Sequence, residues 1–135
     1  EQKLDSCDAI LVGGGNTFYL LQEIQKTGFA DILWVRIEQG LPYIGSSAGS
    51  IIAGPDIAVA GLGDNPSKAP DLKGTKALGF VDFVVNPHWG SPDFRSAYDG
   101  KNFDEFYNCK EKIILLRDTQ YVIVEGDDYK IFDIV

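Results

Sequence analysis

A serine hydroxyl becomes an effective nucleophile when a turn exposes it, a base takes its proton and nearby dipoles receive the developing charge. One pentapeptide has the composition of such a turn. Gly45-Ser46-Ser47-Ala48-Gly49 matches G-x-S-x-G, with Ser47 at its centre. The pattern demands small neighbours because the nucleophile occupies a sharp, strained strand-to-helix turn, where bulky side chains collide with the flanking elements. Five residues of this kind recur by chance, so context decides. Leu41 to Gly45 reads as a short strand and Ser50 to Ala53 as helical, stopped by Gly54-Pro55. A plain Gly/Ser turn that only starts a helix is the competing explanation, and the strand–turn–helix setting favours the nucleophile.

The base has one candidate. His88 is the single histidine of the chain, which excludes zinc motifs needing two, such as H-E-x-x-H. It follows the apolar run Phe83-Val84-Val85 in Asn86-Pro87-His88-Trp89, at the end of a strand. An imidazole changes charge near neutral pH and suits the task of deprotonating a serine. A third group, a carboxylate, should orient the ring. Asp118 follows the strand Ile113 to Arg117 and is favoured. Glu125 ends the next strand but belongs to a hairpin, and Asp64, Asp82 and Asp93 sit in or beside loops, where carboxylates are usually solvated.

Gly13-Gly14-Gly15-Asn16-Thr17 is the other motif with chemical content. As a dinucleotide fingerprint it fails, because Phe18 stands where the third glycine belongs. As a P-loop it fails for want of a following Gly-Lys-Ser/Thr. It suits an anion-binding turn, whose glycines let backbone N–H groups approach a developing oxyanion.

The elements that must position these residues follow from apolar patterning. Ala9 to Val12 is a continuous apolar run ending at the glycines, as expected of a strand covered on both faces of a parallel sheet. Asn16 is a good N-cap for a helix from Thr17 to Lys26 with Gly28 as its stop, and a second helix is expected from Ala30 to Gln39. Gly61 to Gly79 is rich in Gly, Pro, Asp and Lys and reads as a long surface loop. Phe80 to Asn86 returns to strand character, and Pro87 to Lys101 reads as a second loop before a short helix around residues 103–108. Three strands close the chain, Ile113 to Arg117, Tyr121 to Glu125 and Tyr129 to Ile134, the last two joined at Gly126-Asp127-Asp128 as a hairpin. The fold class is α/β, with an open, mostly parallel sheet flanked by helices and an antiparallel C-terminal hairpin. In such sheets ligands sit beyond the carboxyl ends of the strands, where Ser47, His88, Asp118 and the glycine turn all fall.

Residues 1–135 have the length of a single domain. With 44% hydrophobic and 24% charged residues, the composition is that of a globular protein. The formal charge of −8 repels phosphate backbones and anionic membranes, so neither nucleic acid nor membrane is an expected partner. Cys7 and Cys109 form no CxxC pair and read as reduced thiols of a cytoplasmic protein, with Cys7 beside the core.

Ile10 to Leu21, Tyr43 to Gly49 and Asn86-Pro87-His88, in this order, resemble the peptidase E or aspartyl dipeptidase family of serine peptidases, which includes cyanophycinase-like members. The resemblance implies a fold similar to class I glutamine amidotransferases and a Ser47–His88–Asp118 triad. It also implies an oxyanion hole from the backbone N–H groups of Gly15 and Ala48, and no metal or other cofactor. Family members cleave dipeptides with an N-terminal aspartate received by an arginine downstream of the histidine. Here that segment is not recognisable between Gly90 and Asn108, and Arg95, with Asn16, is the candidate substrate contact. A weak preference for aspartate is therefore expected. The family also has strands and helices before the Ala9 to Val12 strand, so the sheet is expected to be completed by a missing N-terminal segment or a homodimer. The expected activity is that of a serine exopeptidase on short peptides. The alternatives are a homologue acting on another acyl substrate, or a non-catalytic one that binds a small ligand or partner at the same rim.

Overall fold

The computed structural model describes residues 4–100 and 104–134. The first strand, β1 (Ile10–Val12), leads through the glycine turn into helix α1 (Thr17–Thr27), followed by α2 (Phe29–Glu38) and strand β2 (Tyr43–Gly45). A four-residue helix α3 (Ala48–Ile51) stands directly behind β2. After a long irregular stretch come β3 (Phe83–Asn86), α4 (Arg95–Tyr98), α5 (Asp104–Asn108), β4 (Lys112–Leu115), β5 (Gln120–Glu125) and β6 (Asp128–Asp133). The strands are two parallel pairs and one antiparallel hairpin. β1 runs beside β2 in the register Ile10 to Tyr43 and Val12 to Gly45, β3 beside β4, and β5 turns back on β6. Among the described residues these three ladders are not hydrogen-bonded into one sheet, so the α/β character holds while a continuous open sheet is not formed.

Local chemistry explains the helix that feeds the site. The Asn16 side chain accepts the Tyr19 N–H, and Gly28 closes α1 in the left-handed conformation, as a glycine does without a Cβ penalty. Phe18, Leu21 and Ile24 form the buried face of α1 and meet Ile10, Leu33, Ile51, Ile52 and Ile57 in the larger core. A smaller core, Phe83, Val85, Ile114 and Leu116, is built from side chains of the β3–β4 ladder and the residue that follows β4.

Several elements differ from the sequence expectation. Helix α3 begins two residues early, at Ala48 rather than Ser50, because the helical backbone starts immediately after the turn residue. The second loop contains α4. Residues 61–79 are not purely surface, since Ala69 and Leu78 enter the larger core and the Leu78 carbonyl accepts the Trp34 indole N–H. Cys7 is exposed rather than core-flanking, and neither cysteine is in a disulfide. β1 is covered on one face only: Ile10 is buried, while Leu11 and its register partner Ile44 are 69% and 52% exposed. No described helix is long and apolar enough to cross a membrane.

Candidate active site

The turn after β2 carries the strain that G-x-S-x-G anticipates. Ser47 has φ 53° and ψ −119°, a sparsely populated region for a residue with a Cβ, costing about 1–3 kcal/mol unless the surroundings enforce it. The surroundings do so. The Gly49 N–H donates to the carbonyls of Gly13 and Ser46, and the Ser46 N–H donates to Val12. The Tyr43 hydroxyl, whose burial pushes its pKa up, donates to the Gly49 carbonyl at 2.6 Å.

Both glycines of the motif are required by space. A Cβ on Gly49 would lie 2.0 Å from the Val12 carbonyl oxygen, and one on Gly45 would lie 2.6 Å from that of Gly49. Each obstacle is backbone, with no flexible end to move aside. Gly49→Ala should therefore lower stability by about 3 kcal/mol or more, read as a fall in the urea unfolding midpoint. A variant with the native midpoint would show that α3 does not pack this closely on β1.

His88 follows the neighbouring ladder and also has a positive φ, 62°. The Leu116 N–H donates to the Asn86 carbonyl and the Trp89 N–H donates to the Leu116 carbonyl. The chain between them, Pro87-His88, is thereby pinned beside the end of β4. From there the imidazole Nε2 lies 2.9 Å from Ser47 Oγ, and Nδ1 lies 2.6 Å from Asp118 Oδ1. Asp118 follows β4 and is half exposed. The hydrogen bond to His88 holds its carboxyl below the ordinary range, against a smaller opposing effect of desolvation, with the Ser91 side chain assisting. Glu125 is brought elsewhere, opposite Asp128 at the tip of the hairpin.

The glycine turn lies against the serine. A Cβ on Gly14 would meet Ser47 Cβ at 3.3 Å and Oγ at 3.5 Å. Gly15 adopts φ 133°, which favours glycine. Neither the Gly15 nor the Ala48 N–H donates to a backbone carbonyl among the described residues. Asn16 is committed to its own fold, since its Oδ1 caps α1 and its Nδ2 donates to the Asn65 carbonyl. Arg95 lies on α4, largely exposed, 3.9 Å from Asp99.

Two features were not apparent from residue types. Asp64, expected to be solvated, accepts both the Thr17 N–H at 2.9 Å and the Thr17 hydroxyl at 2.5 Å. It ties the long loop to the first turn of α1, where a carboxylate is favoured by the helix dipole, directly beside the glycine turn. Its only signal is the Asp64-Asn65-Pro66 turn pattern, which does not say where the turn docks. Phe94 lies flat against the His88 ring, with centroids 4.1 Å apart and planes 5° from parallel. No group of His, Cys, Asp and Glu able to hold a metal ion occurs among the described residues.

Comparison with known proteins finds relatives named as peptidases. A 38% identical relative is peptidase E of Streptomyces coelicolor, aligned over 93% of this chain and 52% of its own. A Drosophila melanogaster protein named "Probable alpha-aspartyl dipeptidase" is 40% identical over 78% of this chain and 42% of its own. The crystal structure of a Listeria monocytogenes EGD-e protein named "Putative Peptidase E Protein" superposes with a TM-score of 0.84 at 32% identity, over 98% of this chain and 62% of that one. The chain thus spans about half the length of the curated relatives it matches. The description Peptidase family S51 matches residues 1–132, nearly the whole sequence. On that match, and on identities of this level, the chain belongs to peptidase family S51.

Proposed function

We propose that this chain carries the catalytic centre of a serine exopeptidase that hydrolyses short peptides, in the manner the names of its relatives indicate. One observation supports this above the others: a strained serine, an imidazole and a carboxylate joined in sequence by contacts of 2.9 and 2.6 Å. Ser47 Oγ attacks the scissile carbonyl carbon while its proton passes to His88 Nε2. The carbonyl oxygen, now an anion, faces the N–H groups of Gly15 and Ala48. Collapse of this tetrahedral species breaks the C–N bond, and His88 returns the proton to the leaving amine. A water then enters by the reverse route, with His88 again the base, and releases the acid from Ser47. Asp118 holds the imidazole with Nδ1 protonated and so leaves Nε2 free to accept. No step calls for a metal or an organic cofactor.

Arg95 and Asn16 are weak candidates for reading the substrate's first residue. One is largely exposed beside Asp99, and the polar atoms of the other are engaged in capping and loop contacts. Selectivity for an N-terminal aspartate is correspondingly modest in this reading. A fluorophosphonate probe tests the proposal: it should label the chain once, at Ser47, and label Ser47→Ala not at all. Hydrolysis of Asp-Leu and Ala-Leu by the same preparation then reads the preference. Absence of labelling at Ser47 would leave a homologue that binds at this rim without chemistry.

A further inference from the structure

The contact between Phe94 and His88 is built by two consecutive tight turns. The Ser91 N–H donates to the His88 carbonyl, and the Phe94 N–H donates to that of Ser91. In the first turn Gly90 has φ 78°, the left-handed value demanded at the third position of a type II turn. In the second, Pro92 occupies position two, where its fixed φ is favoured. The chain is folded back on itself, and the Phe94 ring, 41% exposed, lies over one face of the imidazole.

The geometry of the pair bears on which protonation state it favours. Two neutral aromatic rings prefer offset-parallel or edge-to-face arrangements over a centred face-to-face sandwich, where their quadrupoles repel. A cation over the face of a ring is attracted to it. A stack with planes 5° from parallel and centroids 4.1 Å apart accommodates a neutral imidazole, and an imidazolium gains the cation–π attraction in addition. During turnover His88 becomes an imidazolium on taking the Ser47 proton, so the contact strengthens as the transition state is approached. The flat contact also resists rotation of the imidazole, which would swing Nε2 away from Ser47 and Nδ1 away from Asp118.

From this we infer that Phe94 is a positioning residue for the catalytic base, holding the His88 ring in plane and favouring its protonated form during turnover. The inference rests on the serine peptidase reading above, and it adds a residue whose side chain has no proton to give or take. An effect confined to the transition state lowers kcat and leaves KM alone.

Two substitutions and two readouts test it. Phe94→Leu keeps an apolar side chain and loses the aromatic face; Phe94→Tyr keeps the face. Because His88 is the only histidine, its Cε1 proton gives a single imidazole resonance, displaced upfield by a ring stacked on it. Phe94→Leu should lower kcat about tenfold, equivalent to ~1.4 kcal/mol, with KM within about twofold of native, and should move the resonance downfield. Phe94→Tyr should keep both kcat and the resonance close to native. A native kcat in Phe94→Leu, or a loss in Phe94→Tyr as large as in Phe94→Leu, overturns the inference, as does a resonance that neither substitution moves. Ser47→Ala separates the two levels. If it abolishes turnover while Phe94→Leu does not alter it, only the role of Phe94 is lost. If Ser47→Ala remains active, the peptidase reading and this inference fall together.

Discussion

Replacing Ser47 with Ala, or His88 with Ala, is expected to lower turnover of a short peptide by on the order of 10⁴ or more. In the proposed mechanism the two groups act as a unit. Without Oγ there is no atom to attack, and without the imidazole the hydroxyl keeps its proton and is a poor nucleophile. The double variant should be scarcely worse than either single one, because the second substitution removes a partner that no longer has a function. Ser47→Ala also loses the side-chain contact that draws the imidazole to this point, yet the fold should survive. The turn is held by backbone bonds from Gly49 and Ser46 and by the Tyr43 hydroxyl, none of which involves Oγ. Single-turnover and steady-state kinetics on the purified variants measure the loss, and unfolding curves check the fold. Near-native peptidase activity in Ser47→Ala would end the triad assignment.

Asp118→Asn should cost less than either of those changes, about 10²–10⁴-fold in kcat. The amide presents an N–H as readily as a carbonyl to Nδ1, so the imidazole loses control of its tautomer, and the charge that stabilises the imidazolium is gone. Glu125→Gln, at the hairpin tip opposite Asp128, should be close to native. If Glu125→Gln abolishes turnover while Asp118→Asn does not, the orienting carboxylate has been misassigned. The same residue sets a pH dependence of stability. Because the folded Asp118 carboxyl is held below its ordinary value by the hydrogen bond to His88, the unfolded chain binds the proton more readily. Its contribution to stability is therefore present above the unfolded carboxylate range and lost as pH falls through the lowered folded value. Asp118 is half exposed, so solvent screening keeps that contribution small. Comparing the unfolding midpoints of native and Asp118→Asn protein across acid pH should show the two curves converging at the low end.

Much of the site was legible in residue types alone. A G-x-S-x-G between a strand and a helix, a single histidine after a strand and a glycine run before a helix all depend on short-range stereochemistry, which the chain carries within a few residues. Gly49 states a local demand of this kind: no Cβ fits where α3 begins. Helix α1, with Asn16 and Gly28 at its ends, is readable for the same reason. What the sequence could not supply was distance between segments far apart in the chain. Asp118 and Glu125 are both carboxylates at strand ends, and only the parallel pairing of β3 with β4 carries Asp118 to Nδ1 of His88. Asp64 reads as a loop carboxylate until residues 61–79 fold back onto α1 and place it on Thr17. The run Ala9 to Val12 is apolar on both sides by composition, and only packing decides that Ile10 is covered and Leu11 is not, since burial belongs to the neighbours a strand acquires and not to its own residues. Phe94 lies between these cases: the turns at Gly90 and Pro92 are written in the sequence, but the flat contact they produce with His88 exists only once β3 and β4 have fixed where that imidazole stands.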